Sequence, residues 1–206
     1  MASADETPSG QDVAPLLARL REEATKAGAP VGWNPAAGAD PVLGELVTSA
    51  ATEVDTRGEA AYALEAVFEG FLCHQGSPRL VSPGDGDVAL LTGDLLYAIG
   101  LEAVASAGDT AAVRALADLI GLSAAVASEG RMAALVPIWQ AQALVLADPE
   151  GEGFEDLLGA VGVGTDPDGT ALAEAARGRA SEAGADGAFD RAGEALQSLV
   201  EVAPET

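Results

Sequence analysis

The sequence predicts an all-α fold, a single-domain bundle of about eight helices, from composition, periodicity and punctuation taken together. Apolar residues make up 49% of the 206-residue chain and aromatics only 4%; the apolar share is mostly Ala, with Leu and Val next and Ile scarce. Ala and Leu head the helix scale, whereas β-branched and aromatic residues lead in strands. Apolar residues recur at helical spacing, and Gly, Pro, Asp and Thr fall where helices would start and stop. At ~100–200 residues per domain the length suits one domain, and a chain of this size buries roughly 70% of its unfolded surface. The expected organisation is a disordered leader over 1–10, a helical domain over 11–203 and a tail over 204–206.

The leader is expected to be disordered because it is rich in Ser, Pro and acid. A first helix follows from about Asp12 to Ala27, with Val13, Leu16, Leu17, Leu20 and Ala24 on one stripe and Gly28 as its stop. Pro30, Gly32, Pro35 and Gly38 mark a loop up to Asp40. Asp40-Pro41 starts a second helix, since Asp accepts from an orphan amide and Pro has none to leave unsatisfied. That helix turns Leu43, Leu46, Val47, Ala50 and Val54 inward.

Thr56 opens a third helix through His74 that holds Tyr62, Phe68 and Phe71, and Gln75 to Asp87 is a loop. Val88 to Ala107 is apolar nearly all round, which predicts the central helix of the bundle. Gly108-Asp109-Thr110 is a stop followed by a cap, and a fifth helix continues with Val113, Leu116, Leu119 and Ile120. A break or kink is expected near Pro137, because an interior proline removes an amide and crowds the preceding turn. A helix bearing Trp139 follows, then a Gly-rich acidic stretch from Asp148 to Asp168 with a short helix around Phe154 to Val161. Thr170 to Val202 reads as two helices parted near Gly184 to Gly187. No fixed-period repeat is present.

Charge excludes one class of partner. Thirty-three acids against ten Lys and Arg give a formal net charge of −23. Such a chain is repelled by nucleic acid and by anionic membrane surfaces. Lys26 is the one lysine beside nine arginines, as expected of a GC-rich genome; a salt-adapted proteome would give the same acidity. The single cysteine, Cys73, excludes an intramolecular disulfide. The N-terminal stretch has no basic region followed by an apolar run, so no secretory signal is read there. The longest apolar run is interrupted by Asp94 and Glu102, so no transmembrane segment is expected, and the location expected is cytoplasmic.

His74 is the one histidine, so a multi-histidine metal site is excluded and a catalytic triad would have to be built around it. Adjacent Cys73 and His74 point about 100° apart on a helix and do not form a dyad. Cys73 reads as core filler and His74 as a polar helix end. GDGD and GVGTDPDG contain no lysine and match neither a phosphate loop nor an EF-hand, so both read as turns. Asp148, Glu150, Glu152, Glu155 and Asp156 supply oxygen ligands of the kind Mg²⁺ or Ca²⁺ takes, but the glycines among them impose no geometry, and a solvated loop is expected. Asp94 lies within the apolar central helix, where a buried carboxylate needs a partner or a raised pKa. An ion pair or hydrogen bond tying helices together is the structural reading, and a direct functional role is the alternative.

The stretch TGDLLYAIGLEAVASAGDTAAVRALADLIGLSAA resembles a helix pair of the trans-prenyltransferases, the polyprenyl diphosphate synthases of the isoprenoid-synthase fold, with text close to LAGDYLxxxAxxxLAxxGD. Thr92, Gly93, Asp94, Leu96 and Gly108-Asp109 fall on matching positions. Upstream, ALEAVFEGFLCHQGSPR is similar to the helix whose final His precedes that family's first aspartate-rich motif. FDRAGEALQSLVEVAPE resembles its closing helix. The resemblance runs from Ala60 to Ala127, a third of the chain.

It implies an isoprenoid-synthase-like, shortened bundle without the family's chemistry. Where the family has the DDxxD aspartates that hold Mg²⁺ against an allylic diphosphate, this chain has Gln75, Gly76 and Arg79. Mg²⁺ wants hard oxygen ligands, and losing the metals removes the largest electrostatic stabilisation of the leaving group. No second DDxxD follows. The expectation is a non-catalytic protein with no cofactor, a partner subunit of a prenyltransferase, a homodimer, or a binder of an apolar isoprenoid. Its candidate ligand-binding residues are Phe71, His74, Arg79, Asp94 and Tyr97. A partner would meet an apolar face carrying Tyr62 and Phe71, or Trp139 and Phe154. Two alternatives stand beside it. One is a diverged Mg²⁺-dependent transferase or lyase using Asp85, Asp87 and Asp94; the other is a helical interaction protein without a small-molecule ligand.

Overall fold

The computed structural model describes residues 14–29, 31–33, 40–52, 57–75, 77–151 and 153–201. Among them are nine α-helices: α1 (Ala14–Lys26), α2 (Val42–Ala50), α3 (Gly58–His74), α4 (Gly86–Ser106), α5 (Thr110–Ser128), α6 (Leu135–Ala147), α7 (Glu155–Gly162), α8 (Thr170–Glu182) and α9 (Asp186–Glu201). A 3₁₀ turn over Met132–Ala134 leads into α6. The leader, Asp12, Thr56, Gly76 and the tail lie outside the described residues.

The ends follow the punctuation at several points. Asp109 caps α5 as expected, accepting from the Ala112 amide at 2.9 Å; α4 instead begins two residues before the expected Val88, because Asp85, read as loop, caps it by accepting from the Val88 amide at 2.9 Å. Gly28, Gly108, Gly130 and Gly184 sit just past helices at φ between +70° and +83°, where a side chain would be strained. Helix α2 departs from expectation, because Asp40 makes no capping bond from its side chain. Glu65, reaching across from α3, accepts from the Leu43 and Gly44 amides at 2.9 Å each. A carboxylate from a neighbouring helix thus satisfies two orphan donors at the positive end of α2.

The centre of the bundle is not α4, as its apolar text suggested, but α6 with α3. Helix α6 packs against α2, α3, α5, α8 and α9, and from Leu135 to Ala147 only Val136 and Val145 are partly exposed. Trp139 is 1% exposed and forms an aromatic cluster with Phe68 and Phe71 at centroid distances of 4.9 and 5.5 Å. Helix α4 buries one face on α3 and leaves Leu90 and Leu91 47% and 64% exposed. Pro137 introduces no kink within a helix. It stands in the first turn of α6, where its missing amide has no i−4 carbonyl inside the helix, and the expected break is taken by the preceding 3₁₀ turn.

Two short strands, β1 (Gly32–Trp33) and β2 (Val81–Ser82), pair antiparallel and join the segment after α1 to the segment after α3. Nothing in a two-residue strand is periodic, which is why the sequence reading missed them. Tyr62, Phe71, Trp139 and Phe154, expected on a partner-facing surface, are all 6% exposed or less and belong to the core. By length and hydropathy α4 and α5 could cross a membrane; each turns one face into the bundle, and the core helix of a soluble protein passes the same test.

Candidate functional site

The α3–α4 contact is built on glycine. A methyl group at Gly70 would lie 2.9 Å from the Gly93 carbonyl, one at Gly93 would lie 2.9 Å from the Gly70 carbonyl, and one at Gly100 would lie 2.8 Å from the Ala63 carbonyl. Only backbones without Cβ atoms can approach so closely. Gly93, the glycine of the GD pair, therefore has a packing role of its own. It also makes room for His74, whose Nε2 would be 2.7 Å from a methyl group at Gly93.

This close crossing brings four of the candidate ligand-binding residues together. Phe71 and His74 at the end of α3, Asp94 and Tyr97 on α4, and Ile120 and Ala124 on α5 line a cavity of about 590 Å³. The spacing i, i+3 places Phe71 with His74 and Asp94 with Tyr97 on common faces. The His74 ring stacks on Tyr97 with centroids 5.2 Å apart and planes 22° from parallel. Its Nε2 stands 3.3 Å from Asp94 Oδ1, but the approach is off the hydrogen-bonding direction and this buried nitrogen has no hydrogen-bond partner. Burial, followed by the charges of Asp94 and Cys73, holds the Tyr97 phenol above its ordinary range.

Asp94 itself corrects an expectation. Its side chain is 71% exposed, on the open side of α4, so it is not a buried carboxylate in need of a partner. Asp87 is exposed in the first turn of α4, and Asp85 is used as its cap. The acidic loop is likewise dispersed, with Asp148 paired to Arg179 at 3.3 Å and Glu155 and Asp156 exposed. Among the described residues no group of three or more His, Cys, Asp and Glu could hold a metal ion.

The fifth candidate, Arg79, faces the core instead. Its guanidinium donates to Glu65 at 2.9 Å and to Glu69 at 3.1 Å, and lies 4.6 Å from the centroid of Phe68. Both glutamates are fully buried, and Glu69 accepts in addition from the Leu80 amide at 2.7 Å. Burial opposes the charge on Arg79, but the two carboxylates outweigh it and raise its pKa. The triad clasps the segment after α3 to α2 and α3. It was missed from sequence, although two acids four residues apart in the otherwise apolar ALEAVFEGF were a signal for it. Cys73, next to His74 in sequence, is 2% exposed, and burial with the charge of Glu69 pushes its thiol up to about 12, so it is not a nucleophile.

A second and larger cavity, about 760 Å³, lies on the other flank of α5, bounded by the end of α6 and by α7. Nothing in the sequence pattern announced it: the room in it is left by Ala and Gly, seven of its nineteen lining residues, which carry little periodic signal. Comparison of the chain with protein-family models, with curated proteins and with solved structures gives no match.

Proposed function

We propose that the protein is a non-catalytic binder of an apolar isoprenoid, held in the cavity between α3, α4 and α5. The observation that supports it is the make-up of that wall. Aromatic and aliphatic side chains from three helices converge with one imidazole and one carboxylate, and no lysine or arginine is among the lining residues. A diphosphate needs charge-assisted donors or metals held by several carboxylates. Arg79, the cation expected in such a site from the sequence, is engaged elsewhere by Glu65 and Glu69, and the rim contributes the negative charge of Asp94. An uncharged isoprenoid, such as an alcohol, suits this lining, and 590 Å³ lies within the usual range for small-molecule sites.

Trp139 supplies the readout. Its indole is 5.5 Å from the Phe71 ring, which lines the cavity. Titration with farnesol is expected to change the Trp139 emission saturably, and Tyr97→Ala is expected to weaken the effect. Farnesyl diphosphate is expected to be silent with and without Mg²⁺, and incubation with allylic and homoallylic diphosphates should give no elongation. Turnover, or a Mg²⁺-diphosphate binding heat lost in Asp94→Asn, would establish the diverged metal-dependent transferase instead.

One observation favours a second reading, as a partner subunit. Leu90 and Leu91 stand side by side on the outer face of α4 and are the most exposed leucines of the described chain. Native mass spectrometry of the protein from its own host is expected to report a second subunit or a copurified lipid. A bare monomer at working concentration would count against both.

A further inference from the structure

We propose that the groove between α5, α6 and α7 is a second binding site, and that its ligand is an uncharged aliphatic alcohol. This rests on the groove alone and not on the isoprenoid reading of the α3–α4–α5 cavity. The walls are apolar: Leu122 from α5, Val145 and Leu146 from α6, and Leu158 with Phe154 at the start of α7. The space exists because the facing positions are small, among them Ala115, Gly121 and Gly159.

One polar side chain is sunk into this wall. Gln142 is 4% exposed, and its Nε2 donates to the Ala115 carbonyl at a long 3.4 Å. Among the described residues its Oε1 accepts no hydrogen bond, and the second hydrogen of Nε2 is unused. The amide is held by its surroundings but its oxygen is open to the groove, so a polar ligand group there takes the place of solvent. A hydroxyl both donates and accepts, so one hydroxyl meets both vacancies.

The rim selects against charge at the ligand head. Arg57 is paired with Asp109 at 3.0 Å, whereas Arg114, 87% exposed, stands on the outer rim 3.8 Å from Asp118. Among the lining residues Arg57 and Arg114 are balanced by Asp118 and Glu155, and the chain as a whole carries −23. A carboxylate or phosphate head is therefore repelled at long range, and at short range it meets as many carboxylates as guanidinium groups. An ammonium head would donate to Oε1 but leave the spare hydrogen of Nε2 facing a cation.

Calorimetric titration of the full chain with decanol, decyl methyl ether, decanoate and decylammonium tests this. Decanol is expected to bind best, with the ether, which cannot donate to Oε1, roughly five- to tenfold weaker, as for one neutral hydrogen bond. Gln142→Leu should lower decanol affinity by more than that factor, since both bonds to the amide are lost, and weaken the ether less, since only its bond from Nε2 is lost, so that the two ligands bind alike in the variant. Gly121→Leu should abolish binding of both; an added Cβ there meets nothing within 4 Å, and an unchanged thermal midpoint and circular dichroism spectrum are the check that the fold is kept. Decanol binding that survives Gly121→Leu, or that is lost in Tyr97→Ala instead, overturns the assignment to this groove. Tighter binding of decanoate or decylammonium overturns the ligand class. The farnesol response of Trp139 is read separately, so either site can fail alone.

Discussion

At the scale of single residues, the most deeply buried ion pairs among the described residues are the two that Arg79 makes. Two fully buried carboxylates share one guanidinium, and Glu65 and Glu69 also accept from main-chain amides. Removing the cation leaves two buried charges facing each other, which in comparable pairs costs ~3–5 kcal/mol. Arg79→Met is therefore expected to lower the free energy of urea unfolding by about that amount, and Arg79→Lys to recover only part of it, because a single ammonium cannot reproduce the fork that reaches both glutamates. A loss below ~1 kcal/mol would mean that the acids are solvated or protonated in the fold. Cys73 gives a prediction in pH. Its thiol is raised from 9.0 to about 12 by burial and Glu69, so the stability it contributes is complete below pH 9 and is lost as pH rises toward 12. The Tyr62 and Tyr97 phenols, also raised, act with the same sign. Unfolding free energy should be level up to about pH 9 and fall above it, less steeply in Cys73→Ala, and a disulfide reagent at neutral pH should label Cys73 only as the chain unfolds. What the sequence made legible at this scale were pairs on one helix. Phe71 with His74 and Asp94 with Tyr97 follow from spacing alone. The direction of Arg79, carried by a segment without periodicity, does not.

At the scale of helices, the informative contrast is between glycines that look alike in sequence. Gly93 and Gly121 each lie within a helix, yet a methyl group at Gly93 would meet His74 at 2.7 Å and the Gly70 carbonyl at 2.9 Å, while one at Gly121 would meet nothing within 4 Å. Gly93→Ala must push α4 off α3 and is expected to cost ~1–3 kcal/mol as overpacking. Gly121→Ala is expected to stabilise by ~0.5–1 kcal/mol, since alanine loses less backbone entropy in a helix. Thermal midpoints of the two variants should move in opposite directions; a shared direction would contradict the α3–α4 crossing described. The same contrast explains why helix positions were readable and helix ranks were not. Caps and glycine stops give boundaries locally, as at Asp109 and Gly108. Burial of a helix depends on what surrounds it. Alanine is tolerated inside and outside, so the apolar text of α4 fits a half-exposed helix as well as a central one. Helix α6 hid its central place behind 13 residues, a proline in its first turn and two glutamines that proved to be buried, with Gln140 donating to the Phe189 carbonyl at 2.8 Å.

At the scale of the whole molecule, the charge and the core are separate systems. Of the ten cationic residues, Arg79 is consumed inside, and others form exposed pairs such as Arg19 with Glu23 and Glu59, Lys26 with Glu22, and Arg177 with Asp190. Exposed pairs of this kind contribute ~0–1 kcal/mol each. The excess of 23 negative charges remains and repels itself across the surface. That self-repulsion opposes the compact state, and salt screens it once the Debye length falls to ~10 Å near 0.1 M. Screening also weakens the exposed pairs, so the two effects compete and their balance is measurable. With acids outnumbering cations by more than three to one, self-repulsion outweighs the exposed pairs. The buried triad is shielded from solvent ions and drops out of the comparison. The thermal midpoint is therefore expected to rise between about 10 mM and about 0.3 M NaCl, at about 2–4 °C for each kcal/mol gained in a chain of this length. The same rise should be flatter in a variant with several exposed acids on α8 and α9 neutralised. A midpoint that falls with salt would mean that surface ion pairs, not helical packing, hold this bundle together.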